Sequence, residues 1–91
     1  MVRDDRWGRT YEGFGETTEL AVELGVAEIR GLQGPSEPWN VIACAKHWVG
    51  DGGTDQGFDQ GNTLVDEDEL TRTHIAPYLP ALAEGVLTVM A

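Results

Sequence analysis

The chain has 91 residues, 41% of them hydrophobic and 24% charged, a balance that fits one globular domain and excludes a disordered chain. Sixteen Asp and Glu against six Lys and Arg give a net charge of -10. Nucleic acid and anionic membrane are therefore excluded as partners, and no apolar run reaches the roughly 18 residues of a membrane span.

Residues 1–15 carry charges ahead of Trp7 and glycines at 8, 13 and 15, which predicts an irregular, aromatic-rich loop. Over residues 16–31, Leu20, Leu24 and Ala27 recur at spacings of three and four. Val22, Val26 and Ile29 widen that stripe into an amphipathic helix. Glu16 and Glu19 suit its positive N-terminal end, and Gly31 and Gly34 mark its exit. Residues 34–38 form a polar connection. The run VIACA at 41–45, ending in Lys46, His47, Trp48 and Val49, predicts a strand buried on both faces. Five of the next twelve residues, 50–61, are glycine, so a long loop follows. Asp66 and Glu69 predict a capping box. The helix it opens places Leu70, His74, Pro77, Tyr78, Ala81 and Leu82 on one stripe, with a break or restart at Pro77, which has no amide to donate. Gly85 ends the helix, and VLTVM at 86–90 predicts a second buried strand.

Loop, helix, strand, loop, helix, strand argues an α/β fold with parallel strands. Two such strands have open edges and too few helices to cover both faces. The chain thus reads as a slice of a larger barrel or sheet, and self-association through exposed strands is expected of it alone.

Lys46 and His47 end a buried strand ahead of a glycine-rich loop, where α/β folds place ligands. The plainer alternative is a Lys46 that reaches the rim and a His47 packed in the core. Arg6 and Arg9 flank Trp7-Gly8; either guanidinium suits a bidentate grip on hydroxyls, or a loop ion pair with Asp4, Asp5 or Glu12. The segment GDGGTDQGFDQGNT lacks the Gly-Lys-Ser/Thr of a phosphate loop. Its Asp51, Asp55 and Asp59 recur every four residues, where a calcium-binding EF-hand needs every two. His47, His74, Asp51 and Asp55 have no zinc-site spacing, and the single Cys44 excludes both an internal disulfide and a Cys-based zinc site. The acidic run 66–69 is a solvated helix start, and His74 a packed histidine.

The ordered blocks RDDRWGRTYEGFGE, IRGLQG, ACAKHWVGDGGT, THIAPY and GVLTVMA resemble glycoside hydrolase family 3, most of all its β-glucosidase and β-glucan exohydrolase branch. The resemblance implies that residues 1–91 are a single partial domain, an inner segment of a (β/α)8 TIM-type barrel. It implies an enzyme that removes terminal non-reducing β-D-glucosyl residues with retention, no cofactor and no metal, and a β-glucoside or short β-glucan as substrate. It assigns Arg9, Lys46 and His47 to hydroxyls of the sugar that is cleaved off, a binding and positioning role.

The same resemblance marks what these residues lack. The nucleophilic aspartate belongs to a block like Val-Ile-Ser-Asp-Trp and the acid/base lies beyond it; neither occurs here, so the 91 residues alone are expected to be inactive. An aspartate that binds sugar upstream of the Trp-Gly-Arg block is absent too. The family's N-acetylglucosaminidase branch has Lys-His-Phe-Pro-Gly-His, whereas here Val49 and Asp51 stand in place of its Pro and second His. Thr17-Thr18 replaces a common Asp-Pro, and Trp48 a common Phe. For adjacent Lys46 and His47 to reach one sugar, the strand pleat must break. An irregular or cis backbone is expected at Lys46-His47 or His47-Trp48, as in structures of the family, with Arg9 folded toward the same mouth.

Overall fold

The computed structural model describes residues 1–35 and 37–91. The first fifteen form a loop whose one regular feature is a 3-10 turn at Thr10–Glu12. Helix α1 spans Thr18–Gln33, opened by Thr17, whose hydroxyl accepts from the Leu20 amide at 3.3 Å. Strand β1 is Cys44–Lys46, and two 3-10 turns, Asp51–Gly53 and Asp55–Gly57, follow in the glycine-rich loop. Helix α2, Glu67–Glu69, passes directly into a π-helical turn at Leu70–Ile75. Helix α3, Tyr78–Ala83, leads to strand β2, Thr88–Met90.

The strands pair in parallel, Cys44 opposite Thr88, Ala45 opposite Val89 and Lys46 opposite Met90. A small α/β unit with parallel strands is therefore present. Its core is thin: Ile29 of α1, Ala43 before β1 and Ala81 of α3, with Leu32 and Val86 against them. Arg30 and Glu84 clamp α1 to α3 through two 2.8 Å hydrogen bonds. Gln33 ties the end of α1 to both strands. Its Oε1 accepts from the Ala43 and Leu87 amides at 3.1 and 3.0 Å, and its Nε2 donates to the Gly85 carbonyl at 2.9 Å.

Two expectations need correction. In α1 the inward face is Ala21, Val22, Gly25, Val26, Ile29 and Leu32, whereas Leu20, Leu24 and Ala27 lie outward. Gly25 faces the Phe14 ring on that inward side, where even a Cβ would lie at an ordinary contact distance of 3.6 Å. The strands, predicted to be covered on both faces, are mostly open: of VIACA only Ala43 is buried, and all three residues of β2 are exposed. Among the described residues nothing covers the far side of the pair.

The later elements follow the sequence more closely. Asp66 caps α2 by accepting from the Glu69 amide at 2.8 Å. Glu69 does not complete a reciprocal box, because its carboxylate accepts instead from Thr73 at 2.6 Å and Arg72 at 3.3 Å. The helix breaks ahead of Pro77 and restarts at Tyr78. His74 is buried, as expected. Burial, with neighbouring positive charge including Arg3, holds its imidazole below the ordinary pKa. Leu82 is exposed, since α3 turns only Ala81 into the core.

No helix among the described residues is long and apolar enough to cross a membrane.

Candidate functional site

The strand pleat stops at Lys46. The Lys46-His47 peptide is cis, as the sequence led one to expect, and so is Trp48-Val49, which it did not. The backbone stays tied to the sheet across this irregular stretch, because the Trp48 amide donates to the Met90 carbonyl at 2.7 Å. The Trp48 ring meets Tyr78 edge to face, centroids 5.0 Å apart. Burial, with Cys44 nearby, pushes the Tyr78 phenol up to about 12.

The glycine-rich loop docks on the N-terminal loop by backbone. Arg3 donates its amide to the Gly52 carbonyl at 2.7 Å. Gly57, at φ +72°, lies so close to the Arg6 and Trp7 backbone that a side chain there would overlap it. These approaches bring Arg9 to the end of β1. Its Nη1 lies 2.9 Å from His47 Nε2. Arg6 does not join it; that guanidinium lies on Asp4 at 2.6 Å, the loop ion pair foreseen for it.

Arg9 makes the loop ion pair with Glu12 and keeps one terminal nitrogen on His47. Its Nε and Nη2 donate to the two oxygens of Glu12 at 2.7 and 3.0 Å while Nη1 faces His47. A 3-10 turn stacks residues three apart, so Thr10–Glu12 carries Glu12 back over Arg9. Glu12 also holds Lys46, whose Nζ is 2.8 Å from Oε2. Arg9 first, then Lys46, lowers the Glu12 carboxyl to about 2. His47 Nδ1 is 3.3 Å from Asp51 Oδ2, and the other Asp51 oxygen accepts from the Gln60 amide at 3.2 Å.

The result is a chain of groups, Lys46–Glu12–Arg9–His47–Asp51, assembled from two segments, 9–12 and 46–51, that are remote in sequence. Lys46 opens on the concavity between α1 and β1, and His47 and Arg9 on a second one beside Thr63 and Met90. Arg9 and Lys46 offer N–H donors; Glu12 is an acceptor and, with its carboxyl lowered by these two cations, has no proton to release near neutrality. The arrangement is suited to holding hydroxyl groups and not to cleaving bonds. Glu12, foreseen only as a loop ion-pair partner, and Asp51 complete this chain of groups, and sequence reasoning did not place either in the site. The Arg9-to-Glu12 spacing of three was the available signal for the first, and nothing local announced its reach to Lys46. Among the described residues no three His, Cys, Asp or Glu side chains cluster in a manner fit for a metal ion.

Comparison with known proteins gives one consistent result. Residues 1–91 match the family described as the glycosyl hydrolase family 3 N-terminal domain. The periplasmic β-glucosidase of Salmonella typhimurium is 32% identical over 99% of this chain and 12% of its own length. A β-xylosidase of Formosa agariphila is 39% identical over 96% of this chain and 13% of its own. Among solved structures, an exo-1,3/1,4-β-glucanase from a Pseudoalteromonas species superposes with TM-score 0.89 at 48% identity, covering 99% of this chain and 12% of that one. A β-glucosidase from Listeria innocua in complex with isofagomine superposes with TM-score 0.91 at 32% identity, covering 98% and 13%. The chain thus spans about one eighth of the length of these relatives.

Proposed function

The chain belongs to glycosyl hydrolase family 3, and on that footing we propose that it is an inner segment of a (β/α)8 barrel carrying part of the subsite for the sugar that is released. The parallel pair β1–β2, flanked by α1 and α3, is the repeating unit of such a barrel. Lys46 and His47 stand at the carboxyl end of a strand, the face from which barrel enzymes act.

The observation that carries the reading is that Lys46 and Arg9 meet on Glu12 while Arg9 also reaches His47. Arg9 and Lys46 supply donors to sugar hydroxyls. His47 joins by exchanging its hydrogen bond from Arg9 for one from a hydroxyl. A pyranose set over Glu12, between the concavity of Lys46 and that of Arg9 and His47, is thereby oriented for attack by carboxylates outside this segment, which in retaining glycosidases stand about 5 Å apart. The proposed reaction of the whole enzyme is release of terminal non-reducing β-D-glucosyl residues from glucosides or short β-glucans. The named activities of the Salmonella and Listeria relatives support that choice.

A second substrate, a β-xyloside, has its own support in the 39% identity to the Formosa β-xylosidase. The polypeptide of the intact gene, assayed on aryl β-glucoside, β-xyloside and β-N-acetylglucosaminide, tests the choice. Preferred turnover of the glucoside, lowered about 10- to 100-fold by Lys46→Ala or Arg9→Ala, is the expected result, each replacement removing a charge-assisted hydrogen bond. Preference for the xyloside replaces the substrate. Turnover unchanged in both variants removes the subsite.

A further inference from the structure

Glu12 is neither a donor to sugar hydroxyls nor an acid at neutral pH, yet it is the group on which the site converges. Its two oxygens take three cationic N–H donors: Arg9 Nε at 2.7 Å, Arg9 Nη2 at 3.0 Å and Lys46 Nζ at 2.8 Å. Counting hydrogens gives the consequence. A guanidinium has five N–H groups. Two are on Glu12 and one is on His47 Nε2, which leaves two, one on each terminal nitrogen. An ammonium has three, and with one on Glu12 two remain on Lys46. Without the carboxylate the two cations face each other across the same space and separate, since like charges repel and each long side chain regains its rotamers.

We propose that Glu12 is a positioning residue of the sugar subsite: its carboxylate fixes the separation of the Arg9 guanidinium from the Lys46 ammonium and selects which N–H groups of each face the sugar. This rests on the sugar-subsite reading for its function, though not for its geometry. The bidentate grip holds the guanidinium plane, which a single contact would leave free to rotate. The 3-10 turn at Thr10–Glu12 keeps Glu12 beside Arg9 whether or not a sugar is present. A shared carboxylate also explains how residues from a loop and from a strand end, 37 positions apart, keep one spacing.

The test is a mutant cycle in the polypeptide of the intact gene. Glu12→Gln keeps the size of the side chain and removes the charge. It is expected to lower kcat/KM on the preferred aryl glycoside by about 30-fold or more, and to lower the thermal midpoint above about pH 5, where the charged contacts to Arg9 and Lys46 are lost. Introduced into Lys46→Ala, the same replacement is expected to cost less than about threefold further, because one of the two groups it positions is gone. A merely structural Glu12 would cost the same in both backgrounds, and that outcome overturns the proposal. Glu12→Gln within about threefold of wild type overturns it too.

A second measurement needs no turnover. Nitrogen-resolved NMR of the wild type should show slowly exchanging protons on Arg9 Nε and Lys46 Nζ, both lost in Glu12→Gln while the methyl spectrum holds. A wild type inactive on every glycoside removes the subsite reading, and this spectrum still decides the geometry. Absence of both signals in the wild type overturns the positioning role.

Discussion

Arg9 Nη1 lies 2.9 Å from His47 Nε2, although 38 positions separate the two residues. A guanidinium can only donate, so Nε2 must accept. The ring proton is therefore on Nδ1, the nitrogen 3.3 Å from Asp51 Oδ2. Long-range proton–nitrogen correlation should find Nε2 as the bare nitrogen and Nδ1 as the protonated one. Arg9→Ala should release that constraint and mix the tautomers. A dominant Nε2–H form in the wild type would contradict the contact.

Acid should weaken the fold in two stages. His74 has its pKa held below the ordinary 6.5 by burial. The folded state thus prefers the neutral ring, and the stability this lends is full above about pH 6.5 and declines as pH falls below it. Glu12 and Asp4 are lowered from 4.5 and 3.8 to about 2, chiefly by hydrogen bonds from Arg9 and Arg6. Their contribution is full above the ordinary carboxylate range and is lost as pH falls toward about 2. Thermal melts along a pH series should show both declines. His74→Gln should flatten the upper one and Glu12→Gln the lower.

Gly57→Ala should destabilise the chain by about 2–3 kcal/mol, because the new methyl meets both a left-handed φ of +72° and the Arg6–Trp7 backbone. Gly8→Ala, where a Cβ meets nothing within 4 Å, should change stability by less than about 0.5 kcal/mol. Urea titration of the two variants separates local geometry from a general effect of glycine replacement.

The 91 residues purified alone should self-associate. Val41, Ile42, Leu87, Val89 and Met90 are all exposed beside the open strand pair, and such edges and apolar faces seek partners. Sedimentation should detect species larger than the monomer, and Val89→Lys should shift the distribution toward monomer. A monodisperse monomer with a sharp cooperative melt would count against this reading of the surface.

Features governed by a few adjacent residues were legible in advance. The Asp66 cap, the interruption before Pro77 and the parallel order of the strands follow from nearby chemistry; the irregular backbone after Lys46 was expected from the family resemblance so that Lys46 and His47 could share one mouth, and it is present although the two open on different concavities. The orientation of α1 was not legible. Counting apolar residues favours the Leu20–Leu24 side, but the face turned inward is the one whose partners, Ala43, Ala81 and the Phe14 ring, come from other segments. The π-helical turn at Leu70–Ile75 leaves no periodic trace in six residues. In the site, the motif residues Arg9, Lys46 and His47 could be named from the sequence. Glu12 could be named as a partner of Arg9 but not as its link to Lys46, which comes from another segment of the chain.

The amide of Gln33 has a consequence at the opposite end of the strands. It holds the Ala43 and Leu87 amides on a single oxygen, so the two strands start level. Three residues further along each lie Lys46 and Met90, which stand opposite one another. At about 3.3 Å per residue, the height at which the Lys46 ammonium emerges is therefore braced, about 10 Å away, by the last residue of α1. Shortening that side chain to Asn would remove this brace where the strands begin and leave the ladder itself, with the Thr88-to-Ala43 and Trp48-to-Met90 hydrogen bonds, to hold Lys46 at its height.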